Sequence, residues 1–233
     1  RTSFIIWLGF VGILLLLPFI GVGSGATRWI NLGFMNVQPS EPAKIAVVLL
    51  LARYLSLRTF DQIDKFLIYI PAILIAAIPA ALVLMQPDLG TGLMIFVAGL
   101  VVIFVSGLPK RYVLLGIGAV AACIPIIWSQ LYDYQKARLL TFLNPEKDIL
   151  GAGWQITQSK IALGSGGLFG KGFLQGSQSQ LDYLPEKQTD FVFTLIGEEF
   201  GFIGNSTIIF VYFLIIISIT GIGFRAKNRF SRL

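Results

Sequence analysis

Histidine is absent from all 233 residues, cysteine occurs once, and charged side chains make up only 13% of the chain. Each shortage excludes something. Without histidine there is no ordinary neutral-pH proton shuttle, so acid–base chemistry falls to carboxylates, lysine, tyrosine or water. With no histidine and with Cys123 alone, a zinc site lacks its usual ligands and an internal disulfide lacks its second thiol. So little charge does not suit a soluble domain of this length. Hydrophobic residues make up 55% of the chain, and the mean hydropathy is +0.80. The net charge of +6 does not point to nucleic acid, because the basic residues cluster in short loops between apolar runs. The chain opens at Arg1 and runs straight into apolar sequence, with no cleavable signal pattern. A fragment of a longer polytopic protein, lacking spans at one or both ends, is expected.

Apolar runs predict about six membrane-spanning helices, for which about 18 residues is the usual length. They are Phe4 to Val22, Ala43 to Leu55, Phe66 to Met85, Leu93 to Leu108, Tyr112 to Trp128 and Phe191 to Phe224. The second run is shorter than the usual length and is expected to begin earlier or to lie partly buried in protein. The predicted class is an all-α polytopic membrane protein, one integral membrane domain over 1–233. Pro71 and Pro79 are expected kinks in the third span, tolerated where neighbouring groups re-satisfy the freed carbonyls. The sixth run is long enough to tilt or to contain a break. A large extracytoplasmic loop, 129–189, is expected before it, far above the usual connection length.

Loop charge sets orientation. One side receives Arg53, Arg58, Lys65, Lys110, Arg111, Arg225, Lys227, Arg229 and Arg232, and by the positive-inside rule it is cytoplasmic. The other side receives the polar, Gly- and Pro-punctuated segments: 25–44, 86–91 and 129–190. Together these suit one external cavity.

The strongest single feature is Asp190, at the lip of the sixth run. An ionisable residue there is a functional-site hypothesis by default. With Thr189 as N-cap, Asp190 falls in the first helical turn, where the helix dipole favours the carboxylate a general base requires. A plain capping acid fits the residues equally well. Glu198 and Glu199 follow inside the run, and at least one of them should meet a buried cation or water, since helical neighbours diverge by about 100°. Gly197, Gly201 and Gly204 read as close helix packing. Outside the membrane, Arg28 and Lys44 suit phosphate oxygens. Trp29 is either part of the same surface or an interfacial anchor, and Asp88 is either a site residue or the cap of the fourth span. GSGGLFGKGF, from Gly164, fails the phosphate-loop pattern, because Ser165 and Gly172 stand where glycine and Ser/Thr are needed. It reads as a flexible turn near the membrane surface, and Lys171 within it as a cation able to meet phosphate. Glu186 and Lys187 read as a loop pair.

The strings GATRWINLG, QPSEPAK, QPDLGTG, ARLLTFLNPEKDILGAGWQITQSKIALGSGGLFGKGF and QSQLDYLPEKQTDFVFTLIGEEFGFIG, taken in order, resemble the shape, elongation, division and sporulation (SEDS) family. They resemble its RodA-like branch more than its FtsW-like one. The resemblance implies a fold of about ten spans, of which this chain would hold the middle and later part. It implies a peptidoglycan glycosyltransferase that polymerises lipid II, a polyprenyl pyrophosphate-linked substrate, at the outer face of the bacterial cytoplasmic membrane. It implies a class B penicillin-binding protein as partner and Asp190, in the Thr-Asp-Phe triplet, as the essential aspartate. The family's usual histidine two residues earlier is Gln188 here. Candidate substrate-binding residues are Arg28, Trp29, Glu41, Lys44 and Asp88, with Lys171, Glu186 and Lys187 from the long loop. A divalent cation, Mg or Mn, is an expected companion of the pyrophosphate. Rival classes are a lipid II flippase and a non-catalytic scaffold for a penicillin-binding protein.

Overall fold

The computed structural model describes residues 2–22, 28–33, 35–59, 62, 64–144, 152–177 and 190–233. It divides into two compact units, Arg1–Val120 with Ile222–Leu233, and Ala121–Gly221. The described residues are almost wholly helical. Helices occupy all six predicted spans: α1 (Thr2–Ile20), α2 (Ser40–Ser56), α3 (Tyr69–Met85, led by a 3-10 turn), α4 (Leu89–Val105), α5 (Lys110–Gln130) and, after two intervening helices, α8 (Val192–Arg225). Those two are α6 (Asp133–Leu143) and α7 (Ala152–Ser165); α9 (Arg229–Arg232) closes the chain. Four of the spans are long and apolar enough to cross a membrane by themselves. The other two, α2 and α4, have 17 residues each, the short end of the spanning range. The chain is a multi-pass membrane protein.

The first unit packs α1 to α4 around a buried stripe. On α1 the stripe is Trp7, Val11, Leu14 and Leu17, at helical spacing, while the other faces stay exposed as lipid contact requires. Small residues allow the closest approach: Ala72, Ala76 and Ala80 of α3 are buried, and a Cβ at Gly99 of α4 would collide with Ala76.

Two prolines show how this core is kept satisfied. Pro79, inside α3, has no N–H for the carbonyl of Ile75, and Trp7 Nε1 donates to that carbonyl at 3.0 Å. Pro18, inside α1, likewise frees the carbonyl of Leu14, and the buried Gln86 Nε2 donates to it at 3.0 Å. The side chain of one helix thus replaces the bond that proline removes from another. Pro71 falls in the first turn of α3, where a missing N–H has little consequence. Trp7→Phe is expected to destabilise the protein in detergent by about 0.6–1.7 kcal/mol, the range of hydrogen bonds between membrane helices. Adding Pro79→Ala should recover part of that loss, because the substituted residue would supply its own N–H to the Ile75 carbonyl. A thermal-unfolding double-mutant cycle reads this directly.

The two ends of the first unit differ in chemistry, as the loop charges predict. At one end Arg111 Nη2 and Tyr112 Oη donate to the Asp64 carbonyl at 2.8 and 2.9 Å. There Arg229 also donates to the carbonyls of Arg58 and Ser106. At the other end lies a small antiparallel hairpin, β1 (Ile30–Asn31) with β2 (Asn36–Val37), beside the α3–α4 turn.

Part of the expected 129–189 loop is helical in the second unit. Helices α6 and α7 lie within it, and α7 packs on the start of α8: Ala162 is buried, and the Ser159 and Thr194 hydroxyls meet at 2.7 Å.

Candidate active site

Asp190 is exposed and stands in the turn two residues before α8 begins. It therefore precedes the first helical turn that the sequence suggested, still at the positive end of the helix dipole. Thr189, Gln188, Lys187 and Glu186 lie outside the described residues.

Eleven residues beyond Asp190, α8 breaks. Gly201 has φ 67° and ψ −160°, a conformation open essentially to glycine alone. The segment from Gly166 to Gly172 is docked into the break. In an unbroken helix the N–H groups of Phe202 and Ile203 would donate to the carbonyls of Glu198 and Glu199. Here Phe202 donates to the Gly167 carbonyl at 2.9 Å and Ile203 to the Leu168 carbonyl at 3.2 Å. The Glu198 and Glu199 carbonyls accept from Lys171 N and Gly172 N, at 3.0 Å each. Both bonds lost from the ladder are thus made with the loop, which is what membrane depth demands of a broken helix. The fit needs glycine on both sides: a Cβ at Gly166 would strike the Gly197 carbonyl, and one at Gly170 the Glu199 carbonyl. The loop read from sequence as a flexible turn is therefore a packed insert.

Lys171 rides on that insert. Its Nζ lies 2.9 Å from Glu198 Oε1 and donates to Ser177 Oγ at 2.8 Å; Ser177 Oγ is also 3.3 Å from Glu198 Oε1. The Glu198 side chain is 0% exposed and that of Lys171 28%. The sequence indicated that at least one of the paired glutamates would meet a buried cation or water; Glu198 meets the cation Lys171, and Glu199 is buried as well. Ser177 carried no signal in the sequence. Beside the break runs an apolar groove of about 470 Å³, lined by Phe169, Ile196, Phe200, Ile203, Gly204 and Thr207 among others.

The first unit gathers its own polar group. Arg28 Nε and Nη2 donate to the carbonyls of Gln86 and Pro87 at 3.2 and 2.6 Å, and Nη1 lies 3.9 Å from Asp88. Asp88 caps α4 by accepting from Thr91 N at 3.2 Å, and Gln38 Nε2 donates to its other oxygen at 3.4 Å. Arg28 thus clamps the hairpin onto the α3–α4 turn. Trp29 is half-exposed and forms an isolated antiparallel bridge with Val22, just after α1. On the first turn of α2, Lys44 Nζ pairs with Glu41 at 2.9 Å. Among the described residues no three His, Cys, Asp or Glu side chains gather to hold a metal ion.

A family model for cell cycle proteins, named for FtsW, RodA and SpoVE, matches residues 1–233. The chain belongs to this family. It is 45% identical to the peptidoglycan glycosyltransferase MrdB of Escherichia coli over 223 residues, 92% of this chain and 58% of that protein. A probable peptidoglycan glycosyltransferase FtsW of Trichlorobacter lovleyi is 39% identical over 222 residues, 94% of this chain and 58% of the relative. Among solved structures, a chain of a peptidoglycan synthase complex that coordinates polymerization and crosslinking superimposes with a TM-score of 0.79 at 29% identity. That match covers 99% of this chain and 63% of the other. The rod-shape-determining protein RodA of Thermus thermophilus gives 0.63 at 26%, covering 99% and 58%. The RodA-like resemblance read from the motifs is supported by these matches. The chain spans just under three-fifths of the curated relatives' length.

Proposed function

We infer that this family member is a peptidoglycan glycosyltransferase of the bacterial inner membrane. It joins lipid II units into glycan strands at the outer face, for cell elongation, alongside a class B penicillin-binding protein. The observation that carries this reading is an exposed carboxylate, Asp190, at the N-terminus of a broken membrane helix. A relative 45% identical is a peptidoglycan glycosyltransferase by name. The apolar groove beside the break suits a polyprenyl tail, and the polar ends of the helices suit sugar and pyrophosphate.

In this reading the reaction is one inverting displacement. Asp190 takes the proton from the acceptor 4-hydroxyl of one lipid II. The oxygen forms a bond to the anomeric carbon of the growing chain, and the bond from that carbon to pyrophosphate breaks. The electron pair leaves with polyprenyl pyrophosphate. Stabilisation of that leaving charge is assigned to Lys44, with Arg28, Trp29, Glu41 and Asp88 as the further candidates named from the sequence. A divalent cation would enter as a companion of the diphosphate and neutralise part of its charge.

A flippase reading draws on the broken helix and its buried ion pair, features that transporters place at substrate sites. Reconstitution of the whole protein with its penicillin-binding protein and labelled lipid II separates the readings. Glycan ladders on a gel are the expected result. Movement of lipid II across the bilayer without chain growth would instead establish the flippase, and neither activity would leave the scaffold.

A further inference from the structure

The chemistry above leaves Glu198 without a task. Its carboxylate is wholly buried within a membrane helix, where an ionised group is expensive. Replacing a buried ion pair by apolar side chains is often neutral or stabilising for a fold, so stability alone does not account for this one. The pair joins three pieces of chain: the docked insert through Lys171, the start of the long polar stretch through Ser177, and the half-helix Val192–Phe200 through Glu198. Asp190 lies eight residues before Glu198, about 12 Å along the axis at the helical rise. The half-helix meets the rest of α8 at Gly201, and the main-chain bonds of the insert all fall at that break. The side-chain cluster reinforces that junction: Lys171 and Glu198, already joined through main-chain N–H and carbonyl, pair again through their side chains, and Ser177 adds a third segment to the tie.

We propose that the Glu198–Lys171–Ser177 cluster is a positioning device for Asp190, fixing how the half-helix is oriented about the hinge at Gly201. The inference rests on reading Asp190 as the base. Glu198 touches no reacting atom in this account; it acts through the half-helix whose first residue, Val192, lies two residues after Asp190. Displacements of about 1 Å at a reacting group cost on the order of 10²-fold in rate.

The test compares Glu198→Gln, Lys171→Met, the double variant and Lys171→Arg in the whole protein with its penicillin-binding protein, with Asp190→Asn in parallel. Each single variant removes one charge of the pair and leaves the opposite charge without it, and is expected to lower thermal stability. The double variant removes both charges and should recover the wild-type melting temperature. Its kcat should nevertheless stay about 10–100-fold down, with KM for lipid II within about twofold. Lys171→Arg should keep most of the turnover. A double variant with wild-type stability and wild-type kcat would make the pair merely structural and overturn the proposal. So would a loss confined to KM, which would mark a substrate contact. Wild-type turnover by Asp190→Asn would sink the base assignment instead, an outcome visible whatever the pair variants do.

Discussion

Gly201→Val is expected to unseat the insert from α8 and to abolish activity. Two terms add. At φ 67° and ψ −160° a side chain costs about 1–3 kcal/mol in backbone strain. A Cβ there would also approach the Leu168 carbonyl at 2.7 Å and collide with Gly170 N, and neither main-chain group has room to yield. The variant has one way to relieve both: a regular helix through position 201. Phe202 and Ile203 would then donate to Glu198 and Glu199, and the insert would lose all four of its main-chain bonds to α8. A drop of about 3–5 kcal/mol is expected, at the severe end for a point substitution. It would be read as a lowered melting temperature in detergent and as new proteolytic cleavage between Gly166 and Gly172. Gly164→Ala is the control. That glycine is helical with nothing within 4 Å of an added Cβ, so alanine should be neutral or stabilising by about 0.5–1 kcal/mol. Equal behaviour of the two variants would contradict the account of the break.

Span positions were legible in the sequence because apolar run length is a local property. The helices begin and end within a few residues of the predicted spans, and the alternation of loop charge matches the two ends of the first unit. The partners of the proline-freed carbonyls were not legible. The rule that some group must satisfy Ile75 and Leu14 follows from the prolines, but Trp7 and Gln86 lie 68 and 72 residues from those carbonyls. Helices α6 and α7 were missed because neither DYQKARLLTFL nor AGWQITQSKIALGS has an apolar run to announce it.

The site divides the same way. Asp190 stood out through its place at the end of an apolar run and through the Thr-Asp-Phe triplet. The last span was read as long enough to tilt or to contain a break, and Gly197, Gly201 and Gly204 were read as packing positions. Only the docking of the insert, some 30 residues upstream, singles out Gly201. That one of the glutamates needed a cation follows from the expense of burying a carboxylate. That Lys171 supplies it depends on contact across 27 residues, which no periodicity encodes. Arg28 has contacts that its residue type did not announce: its guanidinium is engaged with the carbonyls of a neighbouring turn.

Asp190→Asn keeps the size and polarity of the side chain and removes its capacity to take a proton. Because Asp190 is exposed and outside the helical ladder, the variant should fold with an unchanged melting temperature. Loss of a general base lowers the rate by about 10²–10⁴-fold. The measurement that tests the account most directly is therefore lipid II polymerisation by the whole protein with its penicillin-binding protein, wild type against Asp190→Asn, with thermal unfolding followed on the same preparations. The account predicts long glycan strands from the wild type and a loss of at least about 10²-fold from an equally stable variant. Strands of equal length and yield from both proteins would contradict it.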